Sequence, residues 1–248
     1  MPRPFRLSLT LRMLTPLSSG AAGAGAALAD KTVVRNGLGE YILPGSQVRG
    51  TLRHACERLL RAMAPADSLC HGPRPEHMCP QDANPHIRTI PDPHVPHDMV
   101  RCCPLCAVFG SPYFPSSLQF HDLLCVNPFR GQDSKPYQNQ REAMLGQETI
   151  RSMVSMNRRR GVAAEQRLFF IETTPAQPHL TFRNTEAVVG TLESIAQAKL
   201  LLAGLRMLVA LGGGRSRGLG WIAIEESSAW LDDQQVTADA WEALRELL

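Results

Sequence analysis

The stretch Gly212-Gly213-Gly214-Arg215-Ser216-Arg217-Gly218-Leu219-Gly220, named the glycine-arginine loop below, holds five glycines and two arginines in nine residues. An apolar segment over 191–211 precedes it and predicts a helix, and the following run Trp221-Ile222-Ala223-Ile224 predicts a strand. Glycine lets a backbone approach a ligand closely and turn its N–H groups toward a phosphate, and the two arginines supply positive charge. Ending a helix needs only one or two glycines. We therefore predict that this loop contacts RNA or another phosphate.

Two common nucleotide-binding loops are excluded by the residues and by their order. The loop lacks the Gly-Lys-Ser/Thr sequence of a P-loop. A dinucleotide-binding fingerprint runs from strand to glycines to helix, whereas these glycines follow a helix and precede a strand. We therefore predict that the loop binds the phosphates of an RNA backbone and is not a nucleotide-cofactor site.

The elements predicted outward from the loop give an α+β fold. They are a strand over 5–13, a hairpin signal at 36–37 after a short β-like run, a helix over 46–63 capped by Ser46, strands over 117–127, 168–174 and 180–182, the helix over 191–211, the strand over 221–224 and an amphipathic helix over about 237–247. Their coarse order is β-α-β-β-α-β, which is that of the ferredoxin-like, or RRM-like, core.

Two segments interrupt this order and are too long to be ordinary loops of a compact domain. Residues 65–106 are rich in proline, histidine and cysteine, and residues 128–166 are polar, rich in arginine and without clear periodicity. We predict one domain over 1–248, with a metal-binding insertion at 65–106 and an extended, irregular insertion at 128–166.

The cysteines of the first insertion have the spacing of a zinc site. Cys103 and Cys106 form a Cys-x-x-Cys pair whose thiolates can face one tetrahedral ion. Cys70 and Cys79 are the simplest second pair, and His71 or His77 can replace one of them. Four protein ligands leave no open position on the ion, so the predicted Zn²⁺ is structural, and its ligation replaces the core that the segment lacks.

Composition favours a soluble, cytoplasmic protein, and its arginine-rich set of basic residues suits nucleic acid as well as it suits a GC-rich genome that favours arginine codons. Hydrophobic residues make up 44% of the 248 residues, and no apolar run is long enough to cross a bilayer. Three of the 26 basic residues are lysine, so 23 are arginine, whose planar fork matches phosphate and stacks on bases. The number of cysteines is odd, at seven, and no export signal is seen, so a disulfide framework is not expected. We predict no membrane partner.

These motifs together resemble the RAMP superfamily of CRISPR systems, and in particular backbone subunits of type III effector complexes. The glycine-arginine loop resembles the family's C-terminal glycine-rich loop. Pro44-Gly45-Ser46 resembles the motif that opens the first helix, and Cys103 to Gly110 resembles the Cys-x-x-Cys that leads into Phe-Gly. The segment Arg151 to Ala163 resembles the arginine-rich thumb. The resemblance implies that guide CRISPR RNA, target RNA, other effector subunits and further copies of the chain are partners.

The resemblance also implies a catalytic residue. Type III backbone subunits that cut target RNA use an aspartate shortly before the proline-glycine-serine helix, and Asp30 matches that position. The implied activity is an endonuclease that needs a divalent cation, Mg²⁺ or Mn²⁺. Two alternatives stay open: a structural subunit in which Asp30 is idle, and a stand-alone nuclease that matures guide RNA and depends on a histidine. His54 lies among arginines on the first helix. A histidine in such a position is more often a packing or RNA-facing residue than a catalyst.

The candidate RNA-binding residues are mostly arginines that flank these motifs. Arg49 and Arg53 lie four residues apart and hence on one face of the first helix. Contacts of this kind reach phosphates and carry no sequence information, which suits a protein guided by base pairing. The full candidate set is Arg35, Arg49, Arg53, Arg151, Arg158, Gly213, Gly214, Arg215, Ser216 and Arg217.

Overall fold

The computed structural model describes residues 2–22, 29–63, 67–72, 74–126, 149–176 and 180–237. The strands are β1 (Arg3–Met13), β2 (Ala21–Ala22), β3 (Lys31–Thr32), β4 (Ile42–Leu43), β5 (Thr89–Pro91), β6 (Met99–Arg101), β7 (Leu118–Phe120), β8 (Leu123–Val126), β9 (Thr149–Asn157), β10 (Val162–Thr173), β11 (Thr181–Leu192), β12 (Ile222–Leu231) and β13 (Gln234–Val236). The α-helices are α1 (Gly45–Met63), α2 (Pro104–Phe109) and α3 (Ile195–Arg206), and short 3₁₀ turns span Pro75–His77 and Arg215–Arg217.

The central sheet is built around β1. This strand pairs antiparallel with β11 on one side and with β12 on the other, and the full order is β13-β12-β1-β11-β8-β4 with β7 also paired to β11. The chain is therefore a mixed α+β protein with mostly antiparallel pairing, as the sequence predicted at that level.

Alternation along β1 determines which face of the central sheet is covered. Leu7, Leu9 and Leu11 have no exposed surface, and Met13 is 2% exposed. Residues two apart in a strand point to the same face, so these four form one apolar stripe. Phe182 of β11 lies opposite Leu11 and is also fully buried. Burying a side chain of this size contributes about 1.5–3 kcal/mol, so this stripe is a main source of stability.

Helices α1 and α3 pack closely against each other. A Cβ atom added to Gly204 of α3 would lie 2.5 Å from the Cys56 sulfur of α1, so the crossing requires a glycine. The Cys56 thiol donates to the carbonyl oxygen of Leu200 across the same contact, at 3.5 Å. Burial raises the pKa of this thiol above its ordinary value, so Cys56 is a core residue and stays protonated.

A second, smaller sheet carries the hairpin β9–β10. Its order is β2-β3-β10-β9, and β3 pairs with β10 in parallel at Lys31 and Ile171. Most side chains of the hairpin are exposed, including Val154, Met156 and Leu168. The hairpin therefore projects from the protein with apolar residues in contact with solvent.

A short buried segment, Leu17–Ser19, joins the parts of the molecule that surround the glycine-arginine loop. The Ser18 carbonyl accepts a hydrogen bond from the Gly213 N–H at 2.8 Å, and the Ser19 carbonyl accepts one from the Gln47 side chain of α1. The Ser19 hydroxyl accepts from the Val34 N–H at 2.7 Å. One three-residue segment thus fixes the loop, the start of the first helix and the segment that follows Asp30.

The predicted strand over 117–127 is divided into β7 and β8. His121 and Asp122 interrupt the pairing, and one Asp122 carboxylate oxygen accepts the Gly45 N–H at 2.8 Å. This contact satisfies a backbone N–H at the start of α1, which has no acceptor within the helix. The break in the strand at Asp122 accompanies this contact. The prediction of a single strand there was wrong.

The predicted helix over 191–211 is shorter in the structure. Strand β11 continues to Leu192, and the Ser194 hydroxyl accepts the Gln197 N–H at 3.4 Å, which caps α3 and begins it at Ile195. The helix ends at Arg206, where the Met207 N–H donates to the Gly204 carbonyl at 3.1 Å and the Leu208 N–H donates to the Leu205 carbonyl at 2.9 Å, so its last turn is of the 3₁₀ type. The uniform apolar character of this stretch concealed both boundaries.

The insertion over 128–166 was predicted to be irregular, and its described part is instead regular. Residues 149–157 and 162–166 belong to β9 and β10. The arginines and exposed apolar side chains of the hairpin obscure the strand periodicity because no core face selects one residue type. At the 36–37 hairpin signal the chain does reverse, but by a longer turn in which the Asn36 N–H donates to the Glu40 carbonyl. The helix predicted over about 237–247 lies outside the described residues, apart from residue 237.

Candidate nucleic-acid interface and metal centre

Four cysteines meet beneath the C-terminal half of α1. Cys70 follows that helix, Cys79 lies beyond the first 3₁₀ turn, and Cys103 and Cys106 occupy the start of α2. All four are buried, and their sulfur atoms lie within 4.8 Å of one another. The Cys70 sulfur is 3.5 Å from that of Cys106 and 3.7 Å from that of Cys103. Zinc–sulfur bonds of about 2.3 Å at tetrahedral angles place sulfurs about 3.8 Å apart, so the four residues can hold a structural metal such as zinc.

Backbone and arginine donors surround the sulfurs. The Cys103 N–H donates to the Cys79 sulfur at 3.2 Å, and the Cys106 N–H donates to the Cys103 sulfur at 3.4 Å. The Arg53 guanidinium donates to the Cys106 sulfur at 3.3 Å. Hydrogen bonding with Cys103 lowers the pKa of the Cys106 thiol, and the charge of Arg53 acts in the same direction. Such donors favour the thiolate, which is the form that binds a metal.

The remaining cysteines and histidines near this cluster take no part in it. His71 and His77 are exposed, and within the described part of the chain the metal-compatible group consists of the four cysteines alone. Cys102 is buried beside Cys103, and its thiol donates to the Cys103 carbonyl at 3.6 Å. A hydrogen bond with Cys102 also raises the pKa of the Cys79 thiol, but Cys102 is not one of the four metal-compatible residues. Burial raises the pKa of the Cys125 thiol to about 12, so this residue is an inert thiol of the sheet. The alternative ligands His71 and His77 are therefore not needed.

The glycine-arginine loop forms a tight double turn. Gly212, Gly214, Gly218 and Gly220 all have positive φ, between 71° and 81°. A Cβ atom at Gly220 would lie 1.8 Å from the Leu211 carbonyl oxygen, and one at Gly212 would lie 2.5 Å from that of Ser18. These positions therefore require glycine for the shape of the loop itself, whether or not a ligand binds.

The loop also offers backbone donors. Its 3₁₀ turn begins at Gly214, which is left-handed, and residues 215–217 follow. The N–H groups of Gly214, Arg215 and Ser216 donate to no residue among those the structure describes. Consecutive N–H groups after a left-handed residue form a concavity that binds anions. The exposed side chains of Arg215 and Ser216 border it.

Arg217 connects the loop to the hairpin β9–β10. Its guanidinium lies 6.0 Å from the centre of the Phe169 ring and contacts the Met153 sulfur at 2.7 Å. Arg217 is exposed, so the same guanidinium is open to solvent on its other side. The structure thus brings the loop and the hairpin together, a contact that no spacing in the sequence indicated.

Arg49 and Arg53 point to the metal-binding insertion. Arg49 donates to the Phe109 carbonyl, and Arg53 donates to the Gly110 carbonyl at 2.7 Å as well as to the Cys106 sulfur. These carbonyls are at the C-terminal end of α2, where positive charge is favoured. Both arginines therefore have a structural role that the sequence analysis missed. Helical spacing identified their common face but not what that face contacts.

Arg35 and Asp30 lie where β3 meets the base of the hairpin. Arg35 forms an ion pair with Glu172 at 3.4 Å and lies 4.9 Å from the centre of the Tyr41 ring. Asp30 is exposed, and one of its carboxylate oxygens accepts the Phe170 N–H at 2.7 Å. The Asp30 N–H in turn donates to the Phe170 carbonyl at 2.9 Å. Asp30 is thereby fixed to the hairpin and keeps a second carboxylate oxygen.

The other candidate arginines lie along the hairpin. Arg151 is half-buried, and its Nε is a buried donor with no hydrogen-bond partner among the described residues. Arg158 is exposed in the turn between β9 and β10, beside Arg159 and Arg160. The N–H groups of Arg159 and Arg160 donate to the Asn157 side chain, which shapes that turn. Three consecutive arginines are therefore presented at the tip of the hairpin.

No helix in the described ranges is long and apolar enough to cross a membrane. Comparison with curated proteins gives no match. A family model described as the RAMP superfamily matches residues 10–223, which include the first helix, the metal centre, the hairpin and the glycine-arginine loop. Since the match covers most of the 248 residues, the chain belongs to the RAMP superfamily.

Proposed function

We propose that this protein is a guide-RNA-binding backbone subunit of a type III CRISPR effector complex. Membership of the RAMP superfamily indicates a CRISPR-associated RNA-binding protein. The finer assignment rests on the combination of a metal-binding insertion, an arginine-tipped hairpin and the glycine-arginine loop in one chain. In this assignment guide RNA, complementary target RNA, neighbouring subunits and further copies of the chain are the partners.

The arrangement of the central sheet supports an RRM-like core. β12, β1, β11 and β8 are neighbours in that order, α1 follows β1, and α3 lies between β11 and β12. Those elements alone follow the β-α-β-β-α-β sequence of the ferredoxin-like fold. Residues 65–106 and 128–166 then enter as the zinc-binding insertion and the thumb.

The observation that carries the RNA-binding proposal is the set of donors at the glycine-arginine loop. The N–H groups of Gly214, Arg215 and Ser216 are consecutive and have no acceptor among the described residues, and Arg215 and Arg217 add charge beside them. A phosphate of the guide RNA fits such a concavity. Leu17–Ser19 holds this loop next to the start of α1 and to the segment after Asp30. An RNA phosphate bound at the loop therefore fixes the position of the RNA relative to α1 and to Asp30.

Cross-linking tests this proposal directly. The full chain is produced together with the other effector subunits and a CRISPR array, the complex is irradiated, and cross-linked peptides are identified by mass spectrometry. We expect guide-RNA adducts on peptides that contain residues 212–220 and on the hairpin around Arg158. Adducts confined to other surfaces would contradict the proposed interface.

Asp30 is the proposed catalytic residue for cleavage of target RNA. Its exposed carboxylate has one oxygen left beside the hairpin, where a carboxylate can hold or orient the ribose 2′-hydroxyl that attacks the adjacent phosphate. The described residues offer no group of three carboxylates here, so a Mg²⁺ or Mn²⁺ ion would have Asp30 as its protein ligand and RNA phosphate oxygens as others. Such an ion would neutralise charge that develops on the phosphate.

A second candidate is a structural subunit of the same complex that does not cleave RNA. The observation in its favour is the 2.7 Å hydrogen bond from the Phe170 N–H to the Asp30 carboxylate, which gives Asp30 a role in the fold. In this case Asp30 fixes the hairpin and has no chemical role.

Substitution of Asp30 by asparagine separates the two candidates. Asparagine keeps a carbonyl oxygen that accepts the Phe170 N–H, so the hairpin is retained while the charge is lost. If Asp30 acts in catalysis, cleavage of complementary RNA by the assembled complex falls by at least about a hundredfold, and target binding is unchanged. The matched control is Asp67→Asn, an exposed aspartate away from the hairpin. Undiminished cleavage in Asp30→Asn would favour the structural subunit.

A further inference from the structure

A pocket lies beside the glycine-arginine loop, and none of its lining residues belongs to the hairpin β9–β10. It has a volume of about 240 Å³ and is bordered by α1, by the residues that follow α3 and by the start of the last long strand. The side chains that give it character are His54, Arg58, Val209, Arg215 and Trp221. Arg215 therefore borders this pocket, whereas Arg217 extends to the hairpin.

Trp221 is held in place by its backbone and leaves its side chain free. Its N–H donates to the Thr15 hydroxyl at 2.9 Å, and its carbonyl accepts the Leu14 N–H at 2.7 Å. The indole is nevertheless 48% exposed, and the adjacent Val209 is 62% exposed. An exposed aromatic residue whose backbone is fixed, beside an exposed aliphatic one, provides an apolar platform for a planar ligand.

The charged groups of the pocket are all basic. Its lining contains Arg58, Arg215 and His54 and no acidic residue. Neither Arg58 nor Arg215 forms a side-chain hydrogen bond or ion pair with any described residue, in contrast to Arg61, which pairs with Glu57 at 2.8 Å on the same helix. Two guanidinium groups without counter-charges next to an open aromatic ring are complementary to an anion that carries a planar apolar group.

We infer that this pocket binds one unpaired nucleotide of an RNA. The base stacks on Trp221, and the phosphate lies between Arg58 and Arg215. The pocket of about 240 Å³ is many times larger than the roughly 30 Å³ that one water molecule occupies. The exposed Trp221 leaves one side open, so a nucleotide can be held there with part of its surface in solvent. Stacking on an aromatic side chain tolerates any base, so the pocket selects unpaired RNA rather than a sequence.

This site is distinct from the interface of the proposed function. It shares Arg215 with that interface, but Arg58 and Trp221 contact neither the hairpin nor the Asp30 segment in any described interaction. The two ideas therefore fail separately: guide-RNA binding at the loop can persist without the pocket, and mononucleotide binding at the pocket requires no other effector subunit.

Tryptophan fluorescence of the full chain provides the test. Replacing Trp230 and Trp241 by phenylalanine leaves Trp221 as the sole tryptophan, because the chain contains three. Adenosine monophosphate, adenosine and inorganic phosphate are then titrated separately. We expect saturable quenching by adenosine monophosphate, weaker binding of adenosine by about tenfold or more because charge-assisted hydrogen bonds are lost, and competition by phosphate without quenching.

Variants of the arginines locate the phosphate. In the same single-tryptophan protein, Arg58→Ala weakens adenosine monophosphate binding by about tenfold and leaves adenosine binding unchanged. The control is Arg206→Ala, an exposed arginine at the end of α3 that does not line the pocket. Circular dichroism verifies that each variant is folded. The inference is overturned by any of three results: no saturable quenching, equal affinity for adenosine and adenosine monophosphate, or an equal effect of Arg206→Ala. Binding of acidic peptides in place of the nucleotide would also overturn it and would assign the pocket to a protein partner.

Discussion

Arg53 joins the first helix to the metal centre through a single guanidinium. It donates to the Gly110 carbonyl and to the Cys106 sulfur, so it both caps α2 and favours the thiolate form of a metal ligand. Removing a charged donor from a partly buried site leaves two acceptors unsatisfied. The side chain therefore links the stability of the insertion to the stability of the core.

Replacing Arg53 by alanine should lower stability and loosen metal binding. We expect the free energy of unfolding to fall by about 1.5–3 kcal/mol, on the scale of hydrogen bonds to charged groups, and the bound metal to pass faster to a chromogenic chelator. Arg58→Ala on the same helix is the control, because Arg58 is exposed and donates to no described residue. Thermal unfolding and chelator kinetics measure the two effects. Equal behaviour of the two variants would contradict the role given to Arg53.

Individual residues differ in how far the sequence predicted them. Cys103 and Cys106 were predicted as ligands because Cys-x-x-Cys spacing fixes a local geometry that the rest of the fold does not alter. Cys70 and Cys79 were predicted only as the simplest second pair, with His71 or His77 as alternatives. Arg49 and Arg53 were predicted to bind RNA, which stays a prediction, and the structure adds protein partners that the sequence did not indicate. Helical periodicity identifies a shared face, whereas the identity of what that face contacts depends on an insertion some fifty residues away.

At the scale of elements, we expect the fold of the metal-binding insertion to depend on its four clustered cysteines. The insertion contributes the short pairs β5–β6 and the short helix α2, which an isolated chain of that length does not maintain. A single ion bound by the four cysteines would connect three separate stretches of the chain through coordination bonds. The long strands β1, β11 and β12 have their own ladder and do not need the ion.

Two adjacent cysteines provide a matched pair for testing this dependence. Cys102 and Cys103 are both fully buried, but only Cys103 belongs to the cluster. Cys103→Ser should abolish the expected one zinc per chain and increase hydrogen exchange across 67–109 while β1 stays protected. Cys102→Ser should retain the metal. Elemental analysis and hydrogen–deuterium exchange measure both results, and zinc retained in Cys103→Ser would refute the cluster as the binding site.

Element boundaries were predicted less well than element types, for physical reasons visible in particular residues. The start of α3 depends on the Ser194 cap within an apolar run, and the break between β7 and β8 depends on Asp122 reaching the first turn of α1. The hairpin β9–β10 was not recognised because it has no buried face along most of its length. Periodicity marks a strand only where one face is buried.

In the protein as a whole, we propose that the glycine-arginine loop holds RNA through the phosphates of its backbone. Each arginine–phosphate contact releases condensed counterions, so binding weakens with salt in proportion to the number of contacts. A loop that existed only to turn the chain from α3 into β12 would require its glycines but not its arginines.

The most direct test is the salt dependence of guide-RNA binding by the full chain and by Arg215→Ala/Arg217→Ala. The control is Arg3→Ala/Arg74→Ala, which removes two exposed arginines distant in sequence from the loop. Fluorescence anisotropy gives the affinity at each salt concentration. We expect the loop variant to bind RNA more weakly, with a slope of log affinity against log salt that is shallower by about 1.4, the contribution of two single-strand phosphate contacts, and we expect no such change in the control. A loop variant whose affinity and slope equal those of the control would show that the loop does not hold RNA through its phosphates.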